Sequence, residues 1–269
     1  MPTLATPSYG SVLLHLMRKH FETGELLEIG TATGHLVNAM DGFHLVTNWH
    51  VVTGYKPDGE PAGSSAAPPT FVDVDFHNPD DLTAPATHRY PLYDDGRPLW
   101  RVHPSLGKRA DIAALAVSFG GQYALHLGRT VSAQSYELDY SHEMALEPSM
   151  DVSVIGYPYG RKSSGSIGIW VRGTIASEPD LNFEGAPVFL VDCRSREGQS
   201  GSPVIAYRPA GSLVHHATGH STVRGEAVWQ LLGVYSGRIS DESDLGKVWK
   251  LSAVREVVEH GAADDFEWF

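Results

Sequence analysis

The string Gly198-Gln199-Ser200-Gly201-Ser202-Pro203, running into the apolar Val204-Ile205-Ala206, is where the reading of this chain turns. A serine hydroxyl is a weak nucleophile at its own pKa and needs a neighbouring base. It also needs N–H donors aimed at the charge that develops on the group it attacks. A glycine two places before the serine lets the backbone turn so that the N–H groups of Gly198 and Ser200 converge on one point. Taken alone, the string also fits a Gly/Ser turn between two strands, with Pro203 opening the second. Its meaning comes from what lies upstream.

A base candidate stands in Leu45-Val46-Thr47-Asn48-Trp49-His50-Val51-Val52, where His50 ends a strand-like run that can aim its ring. The chain has 14 histidines, so His50 alone would carry little weight. An acid candidate, Asp111, opens Asp111-Ile112-Ala113-Ala114-Leu115-Ala116-Val117. A carboxylate at the mouth of a buried apolar strand is costly unless paired. A histidine N–H meets that need and fixes the ring tautomer, although a turn-capping aspartate has the same look. The order His, Asp, Ser separates this set from the Asp, His, Ser and Ser, Asp, His orders of other hydrolases.

The three strings V-T-N-W-H-V-V, A-D-I-A-A-L-A-V and G-Q-S-G-S-P-V resemble the signatures of trypsin-like peptidases, nearest to the bacterial branch that includes the HtrA (Deg) proteases. Ile155-Gly156-Tyr157-Pro158-Tyr159-Gly160, the later Arg172-Gly173-Thr174-Ile175, and Asp192 eight residues before Ser200 are similar to that branch as well. The likeness runs from about Gly30 to Arg238. It implies an all-β fold of two six-stranded antiparallel barrels with a cleft between them. It also implies endopeptidase action by a His50-Asp111-Ser200 triad, an oxyanion hole at Gly198 and Ser200, and no metal or organic cofactor. By the same resemblance, the pocket for the residue preceding the cleaved bond (P1) is walled by the segment before Ser200 and by Gly233 to Arg238. Arg194, Ser236, Gly237 and Arg238 are then its substrate-binding residues, and the arginines raise the expectation of an acidic P1 side chain. Arg194 and Arg196 pairing with Glu197 or facing solvent is the competing expectation.

Two departures from the family pattern stand out. Gln199 replaces the aspartate that pairs with a newly cut N-terminus in digestive trypsins, so activation by N-terminal clipping is not expected. Ser202 replaces the second glycine of G-x-S-G-G. No PDZ domain is expected after the C-terminal helix. A latent or catalytically silent scaffold that depends on a partner is the alternative to an active protease. The presence of all three triad residues favours the enzyme.

The 269 residues, 42% apolar and 19% charged, can bury a proper core. Short runs rich in Val, Ile, Thr and aromatics recur between turn residues, among them Gly42 to Val46, Thr70 to Phe76, Val152 to Ile155, Ile167 to Ile175, Val188 to Val191 and Val228 to Tyr235. That pattern indicates a barrel or sandwich. Helices are expected at Ser11 to Phe21 and Val248 to His260, from their apolar spacing. Residues 1–125 are expected to hold the first barrel with His50 and Asp111. Residues 126–269 should hold the second barrel with Ser200, reached by a crossover at Tyr123 to Pro148. Gly54 to Pro69 and Arg208 to Gly225 read as surface loops.

With no secretory signal and no long apolar stretch, the expected location is cytoplasmic and away from membranes. A single cysteine, Cys193, excludes an internal disulfide framework. It reads as a small core residue, not as a second nucleophile. A net charge of −12 argues against nucleic acid as a partner. The expected partners are a protein or peptide substrate and a regulatory protein. His215, His216 and His220 sit in a ligand-like cluster but lack the glutamate of H-E-x-x-H, and no metal site is expected there. The acidic, aromatic segment Asp264 to Phe269 is left with two readings, packing back on the body or docking a partner.

Overall fold

The computed structural model describes residues 4–63, 67–77, 85–118, 135–138, 144–240 and 242–267. The first half contributes β1 (Ser11–Lys19), β2 (Leu26–Ala39), β3 (Gly42–Thr47), the one-turn helix α1 (Trp49–Thr53), β4 (Phe71–Phe76), β5 (Ala86–Pro91), β6 (Tyr93–Asp94), β7 (Arg97–Pro98), β8 (Trp100–Val102), β9 (Ala113–Val117) and β10 (Tyr136–Glu137). The second half contributes β11 (Asp151–Gly156), β12 (Ile169–Ile175), β13 (Val188–Cys193), β14 (Pro203–Arg208), β15 (Leu213–His215), β16 (Ser221–Val223), β17 (Val228–Arg238), β18 (Leu245–Lys250), helix α2 (Leu251–His260) and β19 (Ala262–Ala263).

The strands β11-β12-β13-β18-β17-β14 close into a six-stranded antiparallel barrel. The first half is a nine-stranded sheet ordered β19-β8-β9-β3-β2-β1-β4-β5, with β10 pairing in parallel to β2. Helix α2 leaves the barrel, and β19 then adds to the edge of the first sheet through Ala262–Val102 and Ala263–Arg101 pairs.

Ser11 to Phe21, expected as a helix, is instead strand β1, preceded by a 3-10 turn at Thr6–Tyr9. Val12, Leu14 and Leu16 join the core of the first sheet at a strand period of two. Leu13 is buried on the opposite face. A strand packed on both faces reads as a continuous apolar run, which spacing alone cannot tell from a helix. The C-terminal helix begins at Leu251, because Val248, Trp249 and Lys250 are still paired in β18. Arg208 to Gly225 is largely the hairpin β15–β16. Of the expected crossover Tyr123 to Pro148, residues 123–134 and 139–143 lie outside the described residues, as do 64–66 of the Gly54 to Pro69 loop.

A core cluster joins the two halves. It brings Val37, Val46 and Ile112 of the first together with Ile205, Val234 and Val254 of the second. Val37 of β2 belongs to this contact, and fully buried His35 reaches across to bond the Gly201 carbonyl at 3.0 Å through Nδ1. A carbonyl only accepts, so Nδ1 carries the proton. Among the described residues Nε2 has no hydrogen-bond partner, and the Tyr136 ring stands edge-on to the imidazole. No helix among the described residues is long and apolar enough to cross a membrane.

Burial lowers the His35 pKa to about 4, from an ordinary value of 6.5. The unfolded chain therefore binds more protons between those values, and stability is lost as pH falls from 6.5 toward 4. His44, His77 and His103 are shifted in the same direction by burial, whereas His15, bonded to Asp75 and Glu28, opposes them. The melting temperature should hold above neutrality and decline through this window, with a shallower decline for His35→Gln. A melting temperature that rises on acidification would contradict this account.

Candidate active site

Strand β3 ends at Thr47, Asn48 stays extended, and the chain turns into α1 with His50 as its second residue. Gly54 closes the turn in the left-handed region, at φ 75°, and donates to the His50 carbonyl at 2.9 Å. His50 thus sits on a helical turn just after the strand, not at the strand's own end. Asp111 follows a 3-10 turn at Lys108–Ala110 and itself takes φ 43°, a strained conformation for a residue with a side chain. The conformation is held from both sides. Asn48 Nδ2 donates to the Asp111 carbonyl at 2.9 Å, and the His50 backbone N–H donates to Oδ1 at 3.1 Å.

The two side chains meet at His50 Nδ1, which lies 2.9 Å from Asp111 Oδ2 and 3.0 Å from Oδ1. Asp111 is buried, so its charge depends on these donors. With the carboxylate accepting at Nδ1, the proton rests there and the Nε2 lone pair is free to act as a base.

Ser200 lies on the turn between β13 and β14, half-buried. Gly198 has φ 89°, and a Cβ on it would stand 2.5 Å from the Tyr157 carbonyl, so only glycine fits. The Glu197 carbonyl accepts the Tyr159 N–H at 2.7 Å. A trans peptide points its C=O and N–H in opposite directions, so this bond turns the Gly198 N–H away from Tyr159. Among the described residues, neither the Gly198 nor the Ser200 N–H donates to another protein atom, although their neighbours Gln199, Gly201 and Ser202 all do. Two unspent donors beside a serine are the type of group that holds a developing oxyanion where they converge on it. His50, Gly198 and Ser200 line one cleft of about 170 Å³, whose other walls include Leu16, Ile29 and Val51. A larger cavity of about 520 Å³, lined in part by Met144, Phe189 and Lys250, holds none of the residues singled out in the sequence.

The four substrate-binding candidates fall on two neighbouring segments. Arg194 and Arg238 are exposed, Ser236 is buried, and Gly237 takes φ 104°. Arg194 is thus not enclosed as a pocket floor, and Arg238 stands at the exposed end of β17. Arg196 donates to the Ser195 carbonyl. Between the segments stands Tyr235, fully buried, its hydroxyl hydrogen-bonded to Ser195 Oγ and its ring over Gly246. Cys193 is buried and burial pushes its thiol up to about 11, which suits a core residue. His215 and His216 bond Ser221 and Thr222 across the hairpin, and the described residues contain no metal-holding group of His, Cys, Asp and Glu.

Sequence reasoning missed Thr33 and the bond of Tyr235 to Ser195; of its two readings of Asp264 to Phe269, Asp264 and Phe266 take the first, packing back on the body. Thr33 binds the turn that carries Ser200 from β2, donating its N–H to the Ser200 carbonyl at 3.0 Å and its hydroxyl to the Gly198 carbonyl at 2.7 Å. A threonine within Thr31-Ala32-Thr33-Gly34 carries no local signal of such a partner 165 residues away.

No curated protein matches the chain. The active form of the Rv3671c protease from M. tuberculosis aligns at 18% identity and TM-score 0.47, covering 96% of this chain and 83% of that one. The inactive form of the same protein, with its serine replaced by alanine, aligns at 18% identity and TM-score 0.45, covering 94% and 86%. A family model described as a trypsin-like peptidase domain matches residues 32–214, a span that takes in His50, Asp111 and Ser200. The chain therefore belongs to the trypsin-like peptidase family and is a trypsin-like serine protease.

Proposed function

We propose that the chain is an endopeptidase for limited, regulatory cleavage of a protein substrate, with His50, Asp111 and Ser200 as its triad. The observation that carries this reading is the His50–Asp111 bond at 2.9 Å, opening on the same cleft as Ser200. Ser200 Oγ attacks the scissile carbonyl while His50 Nε2 takes its proton. The oxyanion rests on the N–H groups of Gly198 and Ser200. His50 then returns the proton to the leaving amine, and water repeats the cycle on the acyl-enzyme. Asp111 keeps the ring in the useful tautomer and stabilises its charged form. The Tyr159–Glu197 bond supports a formed oxyanion site over a collapsed one, and so an active enzyme over a latent scaffold. Replacing Ser200 or His50 with alanine should cut peptide hydrolysis by a factor on the order of 10⁴ or more at unchanged folding, and Asp111→Asn by about 10⁴. Turnover by folded Ser200→Ala within tenfold of native would remove Ser200 from the mechanism.

Between the walls expected to bound the P1 pocket stand the buried Tyr235 ring and its bond to Ser195, an arrangement that favours a shallow pocket. The reading is a preference for small P1 side chains. In a fluorogenic peptide series, cleavage after Ala and Val should exceed cleavage after Phe, Asp or Lys by about tenfold or more. Tyr235→Ala should raise the larger apolar residues. Preferred cleavage after Asp or Glu would instead place Arg194 or Arg238 in the pocket.

A further inference from the structure

We propose that the segment 262–267 is a strap that positions His50, with the Asp264 carboxylate as its fastening. The proposal rests on the triad reading above for what the positioned histidine does. After α2 the chain returns to the first sheet as β19, and the next residue, Asp264, buries its carboxylate there at 8% exposure. Oδ2 accepts the indole N–H of Trp49 at 2.6 Å and that of Trp100 at 2.8 Å, and both indoles are buried. Two residues on, the Phe266 ring stands edge-on to Trp49, with centroids 5.6 Å apart, and rests beside Tyr55 at 6.1 Å.

Trp49 opens α1 and Tyr55 follows its capping glycine, so the strap grips the helix at both ends with His50 between. Five helical residues are far below the length at which a helix holds itself in water. The pose of this turn must come from what packs on it. Apolar contact alone fixes distance but lets a ring slide, whereas a buried carboxylate accepting two indole N–H bonds fixes direction as well. Burying that charge is costly, and removing it leaves two buried indole N–H groups unpaired. The geometry accounts for the cost as a device that holds the Trp49 indole, and through it α1, in one orientation. Asp264 acts here as a positioning residue; its side chain bonds Trp49 and Trp100, not the cleft.

The test uses full-length native protein, Asp264→Ala and Asp264→Asn, each followed by kcat, KM and the His50 Nδ1–H resonance in proton NMR. Asp264→Ala should lower kcat about tenfold or more with KM little changed, because misplacing a general base acts on the chemical step. Its Nδ1–H resonance should shift or broaden while the native signal stays sharp. Asp264→Asn keeps an acceptor oxygen and should recover most of both readouts. If Asp264→Ala does not fold, Phe266→Leu, which leaves the carboxylate in place, should move both readouts in the same direction by a smaller amount. A folded variant with native kcat and native resonance would overturn the strap, as would a loss of kcat that only tracks the unfolded fraction. Native protein that cleaves no peptide, yet loses its resonance in Asp264→Ala, would overturn the triad reading and leave the strap standing.

Discussion

One buried threonine on β2 ties the two halves together at the point where chemistry is proposed to occur. Thr33 holds the carbonyls of Gly198 and Ser200 through its hydroxyl and its N–H, while the same hydroxyl accepts the Tyr157 N–H at 3.0 Å. Its own carbonyl takes the Thr47 hydroxyl at 2.9 Å, at the end of the strand that leads to His50. Gly201 approaches that carbonyl so closely that no side chain would fit there, and its φ of 86° asks for glycine on its own account. Each bond is worth only about 1 kcal/mol net, but unpaired buried carbonyls at this junction would cost more. Geometry is the larger consequence. The Glu197 carbonyl accepts from Tyr159 and the Gln199 carbonyl from the Ser202 N–H at 3.0 Å, so the Gly198 and Ser200 N–H groups of those two peptides face the other way, unspent among the described residues.

The acid side of the site follows the same logic of buried groups finding partners. Asp111 sits at a strained φ at the edge of an apolar strand, where its charge would be costly without donors. The donors come from a single neighbour, the backbone and ring of His50, with Asn48 holding the carbonyl of the same residue. The strain and the pairing together fix one orientation of the imidazole. Asp264 repeats the device behind the helix, using two indoles in place of a histidine.

Motifs whose meaning is local were readable from the sequence. G-Q-S-G-S-P needs a left-handed glycine and a turn before a strand, and Gly198 and β14 provide both. The order of His50, Asp111 and Ser200 pointed to the candidate site because each stands next to its own strand or turn signal. What failed was information that lives in tertiary pairing. Val12 to Met17 are apolar enough for either a helix face or a two-faced strand, and only their neighbours β2 and β4 decide. Thr33, Tyr235 and Asp264 are ordinary residues until their partners, far away in the chain, are in place.

The central claim is that Ser200 is activated by His50 beside a formed oxyanion site. The direct measurement is intact mass after exposure to a fluorophosphonate, for the native chain and for Ser200→Ala. The account predicts one adduct on the native chain and none on the variant. A folded native chain that takes up no adduct, or a Ser200→Ala chain that still takes one, would contradict it.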